Sequence, residues 1–117
     1  MHELSIVSNI FNIVEDIARQ NKLVRVTKVS IVIGKMRQVV PVAMEMAFKA
    51  VTKDTIVENA LLNMKFLPVI MRCRSCGYSS EVEDHVFICS ECESVELDIV
   101  QGQELLISHI EGEDAST

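Results

Sequence analysis

The sequence predicts an α+β fold: two helices packed on one face of a three-stranded mixed sheet, with a small cysteine-bearing unit inserted before the last strand. Three observations predict it. An apolar stripe with helical spacing opens the chain. A run of alternating, largely apolar residues follows each of the two helical stretches. All four cysteines lie close together in the second half, ahead of one more alternating run. Apolar residues make up 49% of the 117, enough for a core. Aromatics are only 4% and Trp is absent, so Leu, Ile, Val, Met and Ala must fill it.

Leu4 to Gln20 is the first helix. Val7, Ile10, Phe11, Val14, Ile17 and Ala18 fall at intervals of three and four and form one stripe, which Ile6 and Ile13 widen. Asn21 suits the stop. Val24 to Ile33 is the first strand, with Arg25, Thr27, Val29, Ile31 and Ile33 on one face, and Gly34 ends it. Pro41 sits at the first position of a second helix that runs to about Thr52, its inner side carried by Met44, Ala47, Phe48 and Val51. Ala60 to Leu67 alternates with Leu62, Met64 and Phe66 on one side, a second strand that Pro68 closes. Glu104 to Ile110 is the last strand, and the small, acidic end from Gly112 is expected to be disordered.

The cysteines read Cys73-Arg74-Ser75-Cys76, then twelve residues, then Cys89-Ser90-Glu91-Cys92. Two intervening residues let both sulfurs of a pair turn toward one point. Two such knuckles can offer four thiolates to one tetrahedral ion, and Zn²⁺ suits that donor set without redox chemistry. The inserted unit is therefore expected to be a zinc-ribbon-like domain. Two disulfides in a secreted chain would need an export signal, and the start has no basic segment leading an apolar block. A redox CxxC normally stands alone beside a βαβ unit. Paired cysteines without such a signal point to the cytoplasm. A net charge of −6 argues against a nucleic-acid binder, and no apolar run is long enough for a membrane span. No catalytic motif is present, so an enzyme is not expected.

The chain starts Met1-His2-Glu3. An α-amine, the amide nitrogen of His2 and its imidazole can close fused rings on one metal, and the Glu3 amide can add a fourth nitrogen. A planar nitrogen set of this kind suits Ni²⁺ or Cu²⁺ better than Zn²⁺. By itself so short a motif is also what a chance start would look like. His85 and His109 read as exposed residues, Met44 and Met64 as packing, and Glu81, Glu83 and Asp84 as a solvated acidic cluster.

Met1-His2-Glu3, the strand ending in Ile33-Gly34, the cysteine quartet and the closing Gly102-Gln103-Glu104-Leu105-Leu106-Ile107 together resemble the HypA/HybF family. That family consists of nickel metallochaperones for [NiFe]-hydrogenase maturation. The resemblance implies nickel held at Met1, His2 and Glu3, and structural zinc on Cys73, Cys76, Cys89 and Cys92. It implies a nickel-binding α+β domain from residues 1–68 and 96–117, and a zinc domain at 69–95. The partners it implies are a HypB-type GTPase and the hydrogenase large-subunit precursor, with urease maturation proteins in some organisms. Monomer and homodimer both stay open. Members often have Gly after the second knuckle, where this chain has Glu93. The competing reading is a zinc-ribbon adaptor with no nickel role.

Overall fold

The computed structural model describes residues 2–116, in the order α1 (Glu3–Gln20), β1 (Leu23–Gly34), a short 3₁₀ turn (Lys35–Arg37), α2 (Pro41–Thr52), β2 (Leu61–Leu67), β3 (Ile70–Cys73), β4 (Ser79–Glu81), β5 (Leu97–Gln101) and β6 (Leu105–Asp114). The chain divides into two compact units. One gathers the residues up to Val32, Val39–Lys65 and those from Leu106 onward; the other holds Ile33–Gln38 and Phe66–Leu105.

The first unit is the expected α+β arrangement. Its sheet has the order β2-β1-β6. Successive cross-strand contacts pair Arg25 with Glu113, the Thr27 hydroxyl with the Glu111 carbonyl, and Ser30 with both Ser108 and His109. Advancing along β1 therefore means retreating along β6, so the two strands are antiparallel, while the sheet as a whole is mixed. In α1, Val7, Ile10, Val14 and Ala18 are buried, spaced as the sequence predicts, and α1 packs on α2. Met44, Phe48 and Thr52 are the buried face of α2, and the Thr52 hydroxyl is satisfied by donating to the Phe48 carbonyl. Val29, Ile31 and Ile33 of β1 are all at most 1% exposed and anchor the core.

Two expectations fail here. Ile13 is half exposed, outside the stripe. The acidic end is not disordered over its first residues: β6 continues to Asp114, because Arg25 of the neighbouring strand gives Glu113 an ion-pair partner.

The second unit contains a sheet that the sequence pattern does not separate, with order β4-β3-β5 and both pairings antiparallel. Met71 pairs with Ser80 on one side and Ile99 on the other. A backbone crossing beside it uses two glycines, Gly34 at the end of β1 and Gly102 ahead of β6. The Gly34 amide donates to the Glu104 carbonyl and the Met36 amide to the Gly102 carbonyl, each at 2.8–2.9 Å. A Cβ on Gly34 would lie 1.9 Å from the Gly102 oxygen, so only glycine permits the approach.

Candidate metal centre

The cysteine site is built by two turns that repeat each other bond for bond. In the first, the Gly77 amide donates to the Cys73 carbonyl and the Cys73 amide to the Tyr78 carbonyl, both at 2.9 Å. In the second, Glu93 donates to Cys89 and Cys89 to Ser94, again at 2.9 Å. Each turn needs a left-handed residue after its second cysteine: Gly77 has φ 80° and Glu93 has φ 61°. The turn geometry survives the loss of glycine in the second knuckle, at the cost of a strained non-glycine residue. The knuckles are joined to each other by the Ser75 and Ser94 hydroxyls at 3.2 Å, and to β5 by Arg74, whose Nε donates to Asp98 at 2.9 Å.

This framework brings the four sulfurs together, all within 4.8 Å of one another. Cys73 and Cys92 are 3.5 Å apart, and Cys76 and Cys89 3.6 Å. A tetrahedron with metal–sulfur bonds of about 2.3 Å has edges of about 3.8 Å, so these donors fit one ion with little movement. Disulfides are absent among them. Cys73 and Cys89 are buried at 2%, while Cys76 and Cys92 face solvent, so an ion held here is backed by protein on one side and reachable on the other.

The thiols also show why a cation belongs there. A hydrogen bond donated by the Cys76 amide holds the Cys73 thiol down to about 6. For Cys92 the Ser94 amide pulls downward, but the neighbouring sulfurs, Cys73 foremost, and burial outweigh it and push the group up to about 12. Cys76 is likewise raised: the Tyr78 amide opposes this and loses to burial and to Cys89. Crowded thiols cannot all ionise against one another, whereas a divalent cation removes that penalty at once. The amides of Tyr78 and Ser94 point at sulfur in both knuckles, positions that CxxC spacing alone does not reveal.

At the other candidate, Met1 lies outside the described residues. His2 is exposed, takes the left-handed conformation with φ 67°, and its carbonyl accepts the first ladder bond of α1 from Ile6 at 3.0 Å. The Glu3 carboxylate accepts from the Val40 amide, the N-cap of α2, at 3.0 Å. That bond is the largest of the causes that lower the Glu3 carboxyl to about 2. Sequence reasoning had no signal for this tie, which joins positions 37 residues apart. His85 is exposed in a left-handed pair with Asp84, beside a cleft of about 320 Å³ that also touches Lys35 and Phe87. His109 is exposed on β6, 3.3 Å from the Ser30 hydroxyl and 3.5 Å from Glu111. Among the described residues the cysteine quartet is the one cluster of three or more metal-ligating side chains.

A family profile described as "Hydrogenase/urease nickel incorporation, metallochaperone, hypA" matches residues 1–112. The chain is 40% identical over 116 residues to the hydrogenase maturation factor HypA of Trichodesmium erythraeum, covering 99% of each. It is 37% identical over 111 residues to HypA of Aquifex aeolicus, covering 95% of this chain and 96% of that one. In fold it is similar to the solution structure of the Ni metallochaperone HypA from Helicobacter pylori, with a TM-score of 0.70 at 24% identity over 97% of this chain and 99% of that one.

Proposed function

This chain belongs to the HypA family of nickel-incorporation metallochaperones for hydrogenase maturation, which are not enzymes, and on that premise we propose that it carries Ni²⁺ on its N-terminus. The donors are the Met1 amine, the His2 amide and imidazole, and the Glu3 amide. The cargo goes to the [NiFe]-hydrogenase large-subunit precursor with a HypB-type GTPase, and to urease where that enzyme is the client. The work takes place in the cytoplasm; among the described residues no helix is long and apolar enough to cross a membrane. Zn²⁺ on Cys73, Cys76, Cys89 and Cys92 holds the second unit folded and is not the cargo. We assign nickel to the first unit and zinc to the second.

The observation that carries the nickel assignment is His2 itself: an exposed imidazole at the head of α1, whose amide the helix ladder does not use. The Glu3 carboxylate is engaged by Val40, which favours the Glu3 amide over its side chain as a donor. A site of backbone and imidazole nitrogens at a chain end is accessible enough to release its metal.

The test is a Ni²⁺ titration of zinc-loaded protein with its native start, beside His2→Ala and a form extended by one residue before Met1. Only the native start should bind with a planar-nitrogen absorption spectrum, and its affinity should fall as the pH is lowered, because protons compete with the metal for the nitrogen donors. Equal binding by all three would place the nickel elsewhere, and no binding by any of them would favour a zinc-ribbon adaptor.

A further inference from the structure

The second unit carries an open sheet edge that holding zinc does not require. β4 is an outer strand, paired with β3 on one side only. The pairing decides which of its backbone groups stay open. The Cys73 amide donates to the Tyr78 carbonyl at 2.9 Å, and the Val82 amide to the Val69 carbonyl at 2.8 Å. With Met71 opposite Ser80, the positions bonded toward β3 are Tyr78, Ser80 and Val82. By the alternation of an antiparallel ladder, the amides and carbonyls of Ser79 and Glu81 point off the edge of the sheet.

Short, charged edges are a common guard against stray pairing. What sets this edge apart is a cleft of about 320 Å³ at its end, which Glu81 itself lines. Val69, Val82 and Phe87 give the cleft apolar surface, Asp84 a second carboxylate and Lys35 an ammonium, all from the second unit. A tight turn carries Asp84: the Val86 amide donates to the Glu83 carbonyl at 3.0 Å, and Asp84 and His85 between them are both left-handed. The charges say what fits. Among the described residues Glu81, Glu83 and Asp84 form no ion pair, and neither does Lys35. The carboxylates outnumber the ammonium, so the edge attracts Lys and Arg and repels nucleic acid and anionic lipid. A second copy of β4 would set these carboxylates against themselves, which disfavours self-pairing here.

We propose that β4 takes up an extended basic segment of a partner protein as an added strand. The segment's backbone pairs with the open groups of Ser79 and Glu81. Every second side chain of a strand shares a face, so an apolar residue enters the cleft beside Val82 and Phe87 while Lys or Arg two positions away on either side meets Glu81, Glu83 and Asp84. The main-chain bonds supply affinity, and the cleft and carboxylates supply selection. The nickel donors take no part, so the proposal stands whatever the nickel titration shows.

The test is an NMR titration of the zinc-loaded full chain with a synthetic peptide, Lys-Thr-Val-Thr-Lys, blocked at both ends and used at low salt. Shifts should centre on residues 79–87, and solvent exchange of the Ser79 and Glu81 amides should slow. The same peptide with its amides N-methylated keeps its charges but loses its donors, and should bind at least about tenfold more weakly. The double variant Glu81→Lys with Asp84→Lys should keep its zinc and its circular dichroism and also lose at least about tenfold in affinity. That variant should instead bind the peptide in which both Lys are replaced by Glu, which wild type should reject; this recovery shows that the edge is still folded. A peptide that does not bind wild type, or that shifts residues away from β4, overturns the proposal. So does equal binding of the N-methylated peptide, which would leave charge attraction without strand addition, or a double variant that still prefers the basic peptide.

Discussion

Replacing Glu93 by glycine should make the protein more stable, and the first knuckle supplies the measure. The two turns share every backbone bond, and both require a left-handed residue, but one has Gly77 there and the other Glu93. A side chain in that conformation costs about 1–2 kcal/mol. Glycine returns about 0.5–1 kcal/mol of this through the greater freedom of its unfolded chain. The net gain is about 0.5–1 kcal/mol, or about 2–4 °C in Tm for a chain of this size. Gly77→Ala should lose a similar amount, since a Cβ there meets nothing within 4 Å and only the dihedral penalty remains. The assay is urea unfolding followed by circular dichroism, with free Zn²⁺ held constant by a metal buffer so that metal binding contributes equally to every variant. Glu93→Gln belongs in the series because removing a carboxylate beside four thiolates is itself favourable. Glu93→Gly must exceed Glu93→Gln. If the two match, the gain is electrostatic and the strain argument is wrong.

Three further outcomes follow from the same geometry. Gly34→Ala should cost about 2–4 kcal/mol, because a Cβ placed 1.9 Å from the Gly102 oxygen must push the crossing backbone segments apart and break the hydrogen bonds that the Gly34 and Met36 amides donate; urea denaturation reads this directly. Glu3→Gln in nickel-free protein should flatten the acid limb of stability. The native carboxyl sits at about 2 against an ordinary 4.5, so its contribution is complete above about 4.5 and disappears as the pH falls toward 2. A Tm–pH profile identical to wild type over that range would show that the Val40 bond does not matter. Cys73→Ser should purify without stoichiometric zinc, as measured by plasma mass spectrometry, and lose the circular-dichroism signal of the second unit, since its buried sulfur is the one most readily ionised of the set.

What the sequence disclosed depended on how local the signal was. The stripe on α1, the β-branched run of β1 and the two CxxC pairs each announce themselves within a dozen residues, and each element formed where its pattern lay. The second sheet was harder to read. β3 and β4 have four and three residues, too few for an alternation to register, and β5 reads as polar and apolar residues in turn without a turn signal ahead of it. Such strands exist because the knuckles clamp their ends, as when the Arg74 amide donates to the Glu96 carbonyl at 2.9 Å. The order in the acidic end was hidden for a related reason. Gly112 to Asp114 has a poor strand composition, and only a partner 88 residues away, Arg25, makes Glu113 worth fixing. Long-range ties of this kind, like that from Glu3 to Val40, leave no periodicity to read.

The two proposed metals ask opposite things of the backbone. At the cysteines the chain has already closed both turns, aimed amides at the sulfurs and set donor spacings near those of a tetrahedron, so little conformational entropy is left to lose when the ion arrives. Such preorganisation favours tight holding and slow exchange, which suits a structural ion and would defeat a carrier. The α1 start is arranged differently. Its ladder begins at the His2 carbonyl, so metal on the nitrogens of His2 and Glu3 would break no bond of the helix ladder. The Val40 amide meanwhile holds the Glu3 carboxylate, and with it the head of α1, to α2. Cutting that tie should therefore leave the donors intact but loosen the head of the helix. Glu3→Ala, which removes the acceptor, is expected to keep its nickel stoichiometry while raising the rate at which a chelator removes the metal.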